Sequence, residues 1–188
     1  SFNVVGMEKM PGFKITPDMV EKLLKVVVYG DLLQKMLTKN RVYEVNKGET
    51  QKLYDEWMQK CKELVVHSSL SEFKKSIYDM VNDFEKIELD TSMKKPKVGI
   101  VGEVLIKYHP FGNNFIAEKL EQEGAEVILP DFMGFVKFMA THKITFNTLI
   151  KTDKYKAKIF KLAIKLIDIL EKDERIALAN SKKGYLQP

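Results

Sequence analysis

A single cysteine, Cys61, in 188 residues excludes an internal disulfide. It equally excludes a cluster or zinc site built within this chain on several thiolates, and it points to a reducing compartment. No stretch approaches the roughly 18 uninterrupted apolar residues of a membrane span, and the N-terminus lacks a charged-then-apolar signal pattern, so a soluble, cytoplasmic protein is expected. There is no Walker A loop, which excludes ATP binding in the P-loop manner. The glycines at 99, 102 and 112 do not make the G-x-G-x-x-G turn of a dinucleotide site. His67, His109 and His142 are scattered with no metal-ligand spacing among themselves or to Cys61, so no metal is expected. Internal repeats and low-complexity tracts are absent too.

What is present suits a folded chain. Hydrophobic residues make up 45% and charged residues 30%, enough to form one domain or two small ones sharing a core. The formal net charge of +5 lies wholly in residues 151–188, since residues 1–150 carry 21 basic and 21 acidic side chains. Ser1 in place of an initiating Met leads to the expectation of a piece of a longer protein.

Residues 1–15 contain Gly6, Pro11 and Gly12 without periodicity and read as an irregular arm. Thr16-Pro17-Asp18 supplies an N-cap, a proline for the first helical position and a first-turn acid, predicting a helix to about Lys39. Its expected buried face is Val20, Leu23, Leu24, Val27, Val28, Leu32 and Met36, and Asp31 falls on that same face. A second helix over 49–66 would bury Leu53, Trp57, Cys61, Leu64 and Val65. A third starts at Ser69, where Glu72 completes a capping box, with Leu70, Phe73, Ile77, Met80, Val81 and Phe84 as its stripe. These three predict an antiparallel helical subdomain over 16–90.

Residues 91–97 read as a linker, after which the pattern changes. Val98-Gly99-Ile100-Val101-Gly102 is a short apolar run, expected as a strand buried on both faces. A long polar and aromatic loop follows, then a helix from Asn113 or Asn114 to Glu123, Gly124 at its exit, and a second strand over 125–129. This is a βαβ unit with parallel strands, and the fold class is therefore helix-rich α/β. Residues 132–139 suggest a short helix and 141–152 are ambiguous. A long helix from Asp153 to Glu171 carries an apolar stripe of Tyr155, Ile159, Leu162, Ala163, Leu166 and Leu170 opposite Lys154, Lys158, Lys161 and Lys165.

The loop from Gly102 to Asn114 is the leading candidate site, because ligands of open α/β sheets sit at the carboxyl ends of strands. Glu103 at the strand tip is the candidate catalytic residue, as a base or as an acceptor for a hydroxyl. Gly102, Tyr108, Asn113 and Asn114 are candidate ligand contacts, the asparagines through a helix start that offers N–H groups to an anion. The plainer alternative is that Glu103 pairs with a neighbouring helix and the asparagines only cap. Asp31 on an apolar stripe must be paired or shift its pKa strongly; Arg41, Tyr43 and the helix ends nearby are its candidate partners, and a structural link to Arg41 or Tyr43 is the favoured reading. The lysine row of the last helix reads as a solvated face, since no aromatics interleave with it for nucleic acid stacking.

The run from Lys97 to Asn114, KVGIVGEVLIKYHPFGNN, followed by Glu121-Gln122-Glu123-Gly124-Ala125-Glu126-Val127, resembles the 2-hydroxyacyl-CoA dehydratase family. It is most similar to the CoA-substrate-specific enzyme activases, in which an ATPase activator is fused to dehydratase-like modules. Tyr29-Gly30-Asp31-Leu32-Leu33 with Arg41-Val42-Tyr43-Glu44 and Gly48-Glu49 is similar to that family's Asp-bearing helix and Arg-Pro-Tyr-Glu loop, with Val42 in place of the proline. The resemblance spans about residues 16–188. It implies a Rossmann-like α/β portion whose further strands lie outside the chain. It also implies a parent protein of anaerobic metabolism that uses an iron–sulfur cluster and ATP to drive loss of water from an acyl-CoA. This chain carries neither the cysteine ligands nor the ATPase motifs. The implied role is a scaffold and part of a substrate or partner interface, not catalytic alone, with the remaining domains or an activator ATPase as partners. The competing expectation is a stand-alone module for a phosphate-bearing metabolite or partner protein, and RNA binding is a remote third.

Overall fold

The computed structural model describes residues 16–149 and 154–185, side chains from 157 in the second stretch. The arm expected over residues 1–15 lies outside the described residues. Three helices come first, α1 (Pro17–Arg41), α2 (Glu49–His67) and α3 (Leu70–Glu85). Strand β1 (Lys97–Gly99), short helices α4 (Val104–Tyr108) and α5 (Ile116–Gln122), and strand β2 (Glu126–Ile128) follow. The chain then forms two long helices, α6 (Phe132–Leu149) and α7 (Lys154–Asn180). Among the described residues the fold is helix-rich, with one two-stranded parallel sheet in which Val98 is opposite Val127.

The local start signals work as the residue types require. Thr16 accepts the Met19 N–H at 3.2 Å with Pro17 at the first helical position. Ser69 and Glu72 exchange the reciprocal bonds of a capping box at the start of α3. Gly124 takes φ +88° just beyond α5, a left-handed conformation that costs glycine nothing.

The core is one cluster. Val28, Leu32, Leu33 and Met36 of α1 meet Trp57 and Cys61 of α2 and Phe73, Ile77, Met80 and Phe84 of α3. Met133 of α6, Ile167, Ala177 and Leu178 of α7, and Tyr185 join the same cluster. Each fully buried Leu, Ile or Phe here contributes on the order of 1.5–3 kcal/mol by leaving water. Residues 91–97 preceding β1 contain no helix or strand until Lys97, yet the core is continuous on both sides of them. Backbone bonds also tie the two sides together, Val45 N–H to the Glu88 carbonyl and Asp90 N–H to the Tyr43 carbonyl.

Several expectations are corrected. Val20 and Leu23 at the start of α1 are exposed, since here the helix turns Leu24 and the Lys25 stem inward, with the Lys25 ammonium on the Ser68 carbonyl at 2.9 Å. The first strand is shorter than expected and is not buried on both faces. Lys97 and Gly99 are exposed and Val101 is 85% exposed, since β1 has a single partner strand among the described residues. The loop after it contains the turn of helix α4, and the next helix starts at Ile116 rather than at the asparagines. Residues 132–149 form one continuous helix. In α7 the expected stripe faces outward at Ile159, Leu162 and Leu166, while the buried positions are Ile167, Glu171, Glu174, Ala177 and Leu178. The bonds that tie α7 to α1 and α3, Lys35 to Glu174 and Tyr78 to Asp173, lie in its later turns, where the buried positions also fall.

Candidate functional site

The candidate site is expected at the carboxyl ends of the two strands. Beyond β1 the Ile100 N–H still pairs with the Ile128 carbonyl at 2.9 Å, and the chain then leaves the sheet through Val101 and Gly102. Glu103 is exposed and is the N-cap of α4, its carboxylate accepting the Ile106 N–H at 3.1 Å. A carboxylate is well suited to this position because the first N–H groups of a helix lack backbone partners. At the other end of α4, the Tyr108 hydroxyl donates to the Pro130 carbonyl and its ring meets Phe132 edge-on at 5.7 Å. Burial, reinforced by the Asp31 and Asp131 charges, raises the Tyr108 pKa, so the phenol stays protonated at neutral pH.

Asn113 is a staple. Its amide N–H groups reach the Ile106 and Lys107 carbonyls, both at 3.1 Å, and its carbonyl accepts the Ile116 N–H at 3.3 Å. The Ile116 N–H at the start of α5 is therefore occupied by Asn113 itself. Asn114 and Phe115 follow at φ 57° and 55°, two successive left-handed residues that are not glycine. Such backbone costs on the order of 1–3 kcal/mol per residue for a bulky side chain. It is held here by Asn113 and by the Phe115 N–H on the Pro110 carbonyl at 2.7 Å. The structure thus brings Glu103, Tyr108, Asn113 and Asn114 onto one α4–α5 turn, with Gly102 at its root. One oxygen of Glu103 and the amide of Asn113 hold that turn.

Asp31 is only 7% exposed, and it meets neither Arg41 nor Tyr43, the favoured partners, but a helix start. Its two carboxylate oxygens accept the Phe132 and Met133 N–H groups at 2.7 and 2.8 Å, capping α6 from a different helix. Asp131, the residue before α6, accepts the Gly134 N–H at 2.6 Å. Burial raises the Asp31 pKa, while these two N–H bonds and Lys35 oppose the rise. Arg41 pairs instead with Glu121 of α5 at 2.6 Å and reaches Gln51 of α2. The Tyr43 hydroxyl donates to Glu126 at 3.0 Å and accepts the Lys95 N–H at 3.1 Å. The three residues anchor α6, α5 and β2 respectively to the first helix and its loop.

Two buried charge networks were not anticipated. Glu126, 1% exposed, opens β2 and pairs with Lys39 at 2.9 Å. Glu174, 3% exposed, pairs with Lys35 at 2.9 Å, and Lys35 also reaches Asp131 at 3.2 Å. Burial raises the Glu174 pKa to about 7 against the pull of Lys35. The second network had a visible signal. Ile167, Glu171, Glu174 and Leu178 recur at spacings of four, three and four, placing two acids on a helix stripe bounded by apolar residues.

His67, His109 and His142 remain apart. The first is exposed at the end of α2, the second accepts the Gly112 N–H through Nδ1 at 2.9 Å, and the third stacks on Phe138. Among the described residues no group of His, Cys, Asp or Glu could hold a metal ion. Cys61 does not fit a cluster ligand, for it is buried in the core and burial pushes its thiol up to about 12. No described helix is long and apolar enough to cross a membrane. Comparison with protein-family models, with curated proteins and with solved structures finds no match to this chain.

Proposed function

We propose that this chain is a scaffold and interface segment of a cytoplasmic 2-hydroxyacyl-CoA dehydratase or activase-like redox protein. In this reading the strands' carboxyl ends form one wall of a substrate or partner crevice, within a Rossmann-like unit that further strands extend. The iron–sulfur and ATPase chemistry of such a system would belong to the remaining domains or to an activator ATPase. The observation that supports the reading most is the apolar surface around the α4–α5 turn. Val101 and Phe111 are 85% and 79% exposed, and Leu105, Ile106 and Phe115 are exposed beside them. Five exposed apolar side chains within fifteen residues, with the Phe111 and Phe115 rings meeting edge-on, support a contact with another body.

The test is calorimetric titration with a short-chain acyl-CoA. One wall of a crevice binds weakly, on the order of millimolar. Phe111→Ser should abolish measurable binding while the melting temperature holds, because Phe111 is 79% exposed and its ring meets Phe115 at the surface. Equal affinity of wild type and Phe111→Ser would remove the crevice from the account.

A further inference from the structure

At the opposite end of the sheet, where the strands begin, a cavity of about 620 Å³ lies between α1, the segment before β1 and the turn after α7. Lys39, Lys94, Lys95, Lys97, Lys182 and Lys183 line it, and the only carboxylate in the lining is Glu126. The Glu126 charge is already met by Lys39 at 2.9 Å, with Lys97 at 4.0 Å and the Tyr43 hydroxyl at 3.0 Å. Lys183 is tied inward, its ammonium donating to the Phe84 and Ile87 carbonyls at 2.6 and 2.5 Å. Lys95 sits against the Tyr43 ring at 5.7 Å, and Lys94 and Lys182 make no ion pair among the described residues.

Like charges gathered around one concavity repel one another unless an anion joins them, and at a few ångströms this repulsion is only partly screened by salt. The lysines come from three separate segments, α1, residues 94–97 and residues 182–183, that the fold brings to one wall. Tyr43 organises that wall, since its hydroxyl receives the Lys95 backbone N–H and donates to Glu126. A run of solvated lysines on one helix face would need no such support.

We propose that this cavity binds a small soluble anion carrying two or more phosphate groups. Its volume suits a ligand of nucleotide size. Lys94, Lys95, Lys97 and Lys182 would contact the phosphates, while Lys39 and Glu126 fix the inner wall. The site is independent of the crevice reading, because it lies at the other end of both strands and shares no residue with the α4–α5 turn.

The test is calorimetric titration with inorganic pyrophosphate and with ADP, at constant ionic strength, against sulfate as the control anion. Pyrophosphate and ADP should bind at least tenfold more tightly than sulfate. The double variant Lys94→Ala/Lys182→Ala removes two exposed ammoniums without touching the core, and it should weaken pyrophosphate by about tenfold or more. Lys158→Ala/Lys161→Ala on the outer face of α7 should change nothing. Sulfate binding as tightly as pyrophosphate would overturn the proposal. So would equal losses from the two lysine pairs, or tighter binding of single-stranded RNA that both pairs weaken, which would mark a diffuse basic surface.

Discussion

Replacing Asp31 by alanine tests the joint between the first helix and the rest of the fold. The Asp31 carboxylate accepts two backbone N–H groups from the first turn of α6, and Met133 beside it is 1% exposed. A hydrogen bond to a charged group contributes about 1.5–3 kcal/mol, so two would give roughly 3–6 kcal/mol. Against that stands the cost of burying the carboxylate, visible in its raised pKa, which alanine recovers. The net expected loss for Asp31→Ala is about 3 kcal/mol. In a chain of this size that lowers the melting temperature by roughly 6–12 °C. Asp31→Asn keeps one acceptor and should lose about half as much. Asp131→Ala removes a local cap that is partly exposed and should cost only about 1 kcal/mol. Circular dichroism melts give the ranking, and amide exchange at Phe132 and Met133 gives the location. Equal losses for Asp31→Ala and Asp131→Ala, or unchanged exchange at those two amides, would refute the cross-helix cap.

The other predictions concern the core and its buried charges. Tyr185→Phe leaves the buried Asn40 amide without the hydroxyl it now meets at 2.9 and 3.1 Å, and should cost about 1–3 kcal/mol in chemical denaturation. Glu174 keeps its proton to about pH 7 in the folded chain, whereas an unfolded glutamate releases it near pH 4.3. Between those values the native state binds more protons, so its contribution is present at low pH and is lost as pH rises toward 7. Melting temperatures across pH 5–7.5 should therefore fall less in Glu174→Gln than in wild type, and parallel curves would exclude Glu174 as the source. Cys61, with its thiol pushed up to about 12, should resist alkylation until the chain unfolds, which mass spectrometry along a urea series reads directly.

The helices were legible because their signals are local. Thr16-Pro17-Asp18 and Ser69 to Glu72 act within a single turn, and the Phe73 to Phe84 stripe needs only one apolar face. The α4–α5 turn was legible as the site of the loop but not in its geometry. Glu103 and Asn113 satisfy backbone groups three to seven residues away, and spacing does not distinguish such self-capping from a group held ready for a ligand. The partner of Asp31 is set by an element about a hundred residues later, which periodicity along α1 does not encode. The outward turn of Ile159, Leu162 and Leu166 was hidden for the same reason, since an apolar stripe shows that a face can be buried without showing what lies against it.

The most direct test of the proposed role is a map of amide shifts as a short-chain acyl-CoA is titrated into isotope-labelled protein. The account predicts that the largest shifts centre on Gly102, Glu103, Tyr108, Asn113 and Asn114, with the acyl-CoA moving them further than CoA alone. Shifts at Lys94, Lys95 and Lys182 would report phosphates in the lysine-lined cavity and are compatible with the account as additional changes. If residues 102–114 stay unmoved while only the lysine cavity or the outer face of α7 responds, the crevice is not where this chain meets its substrate.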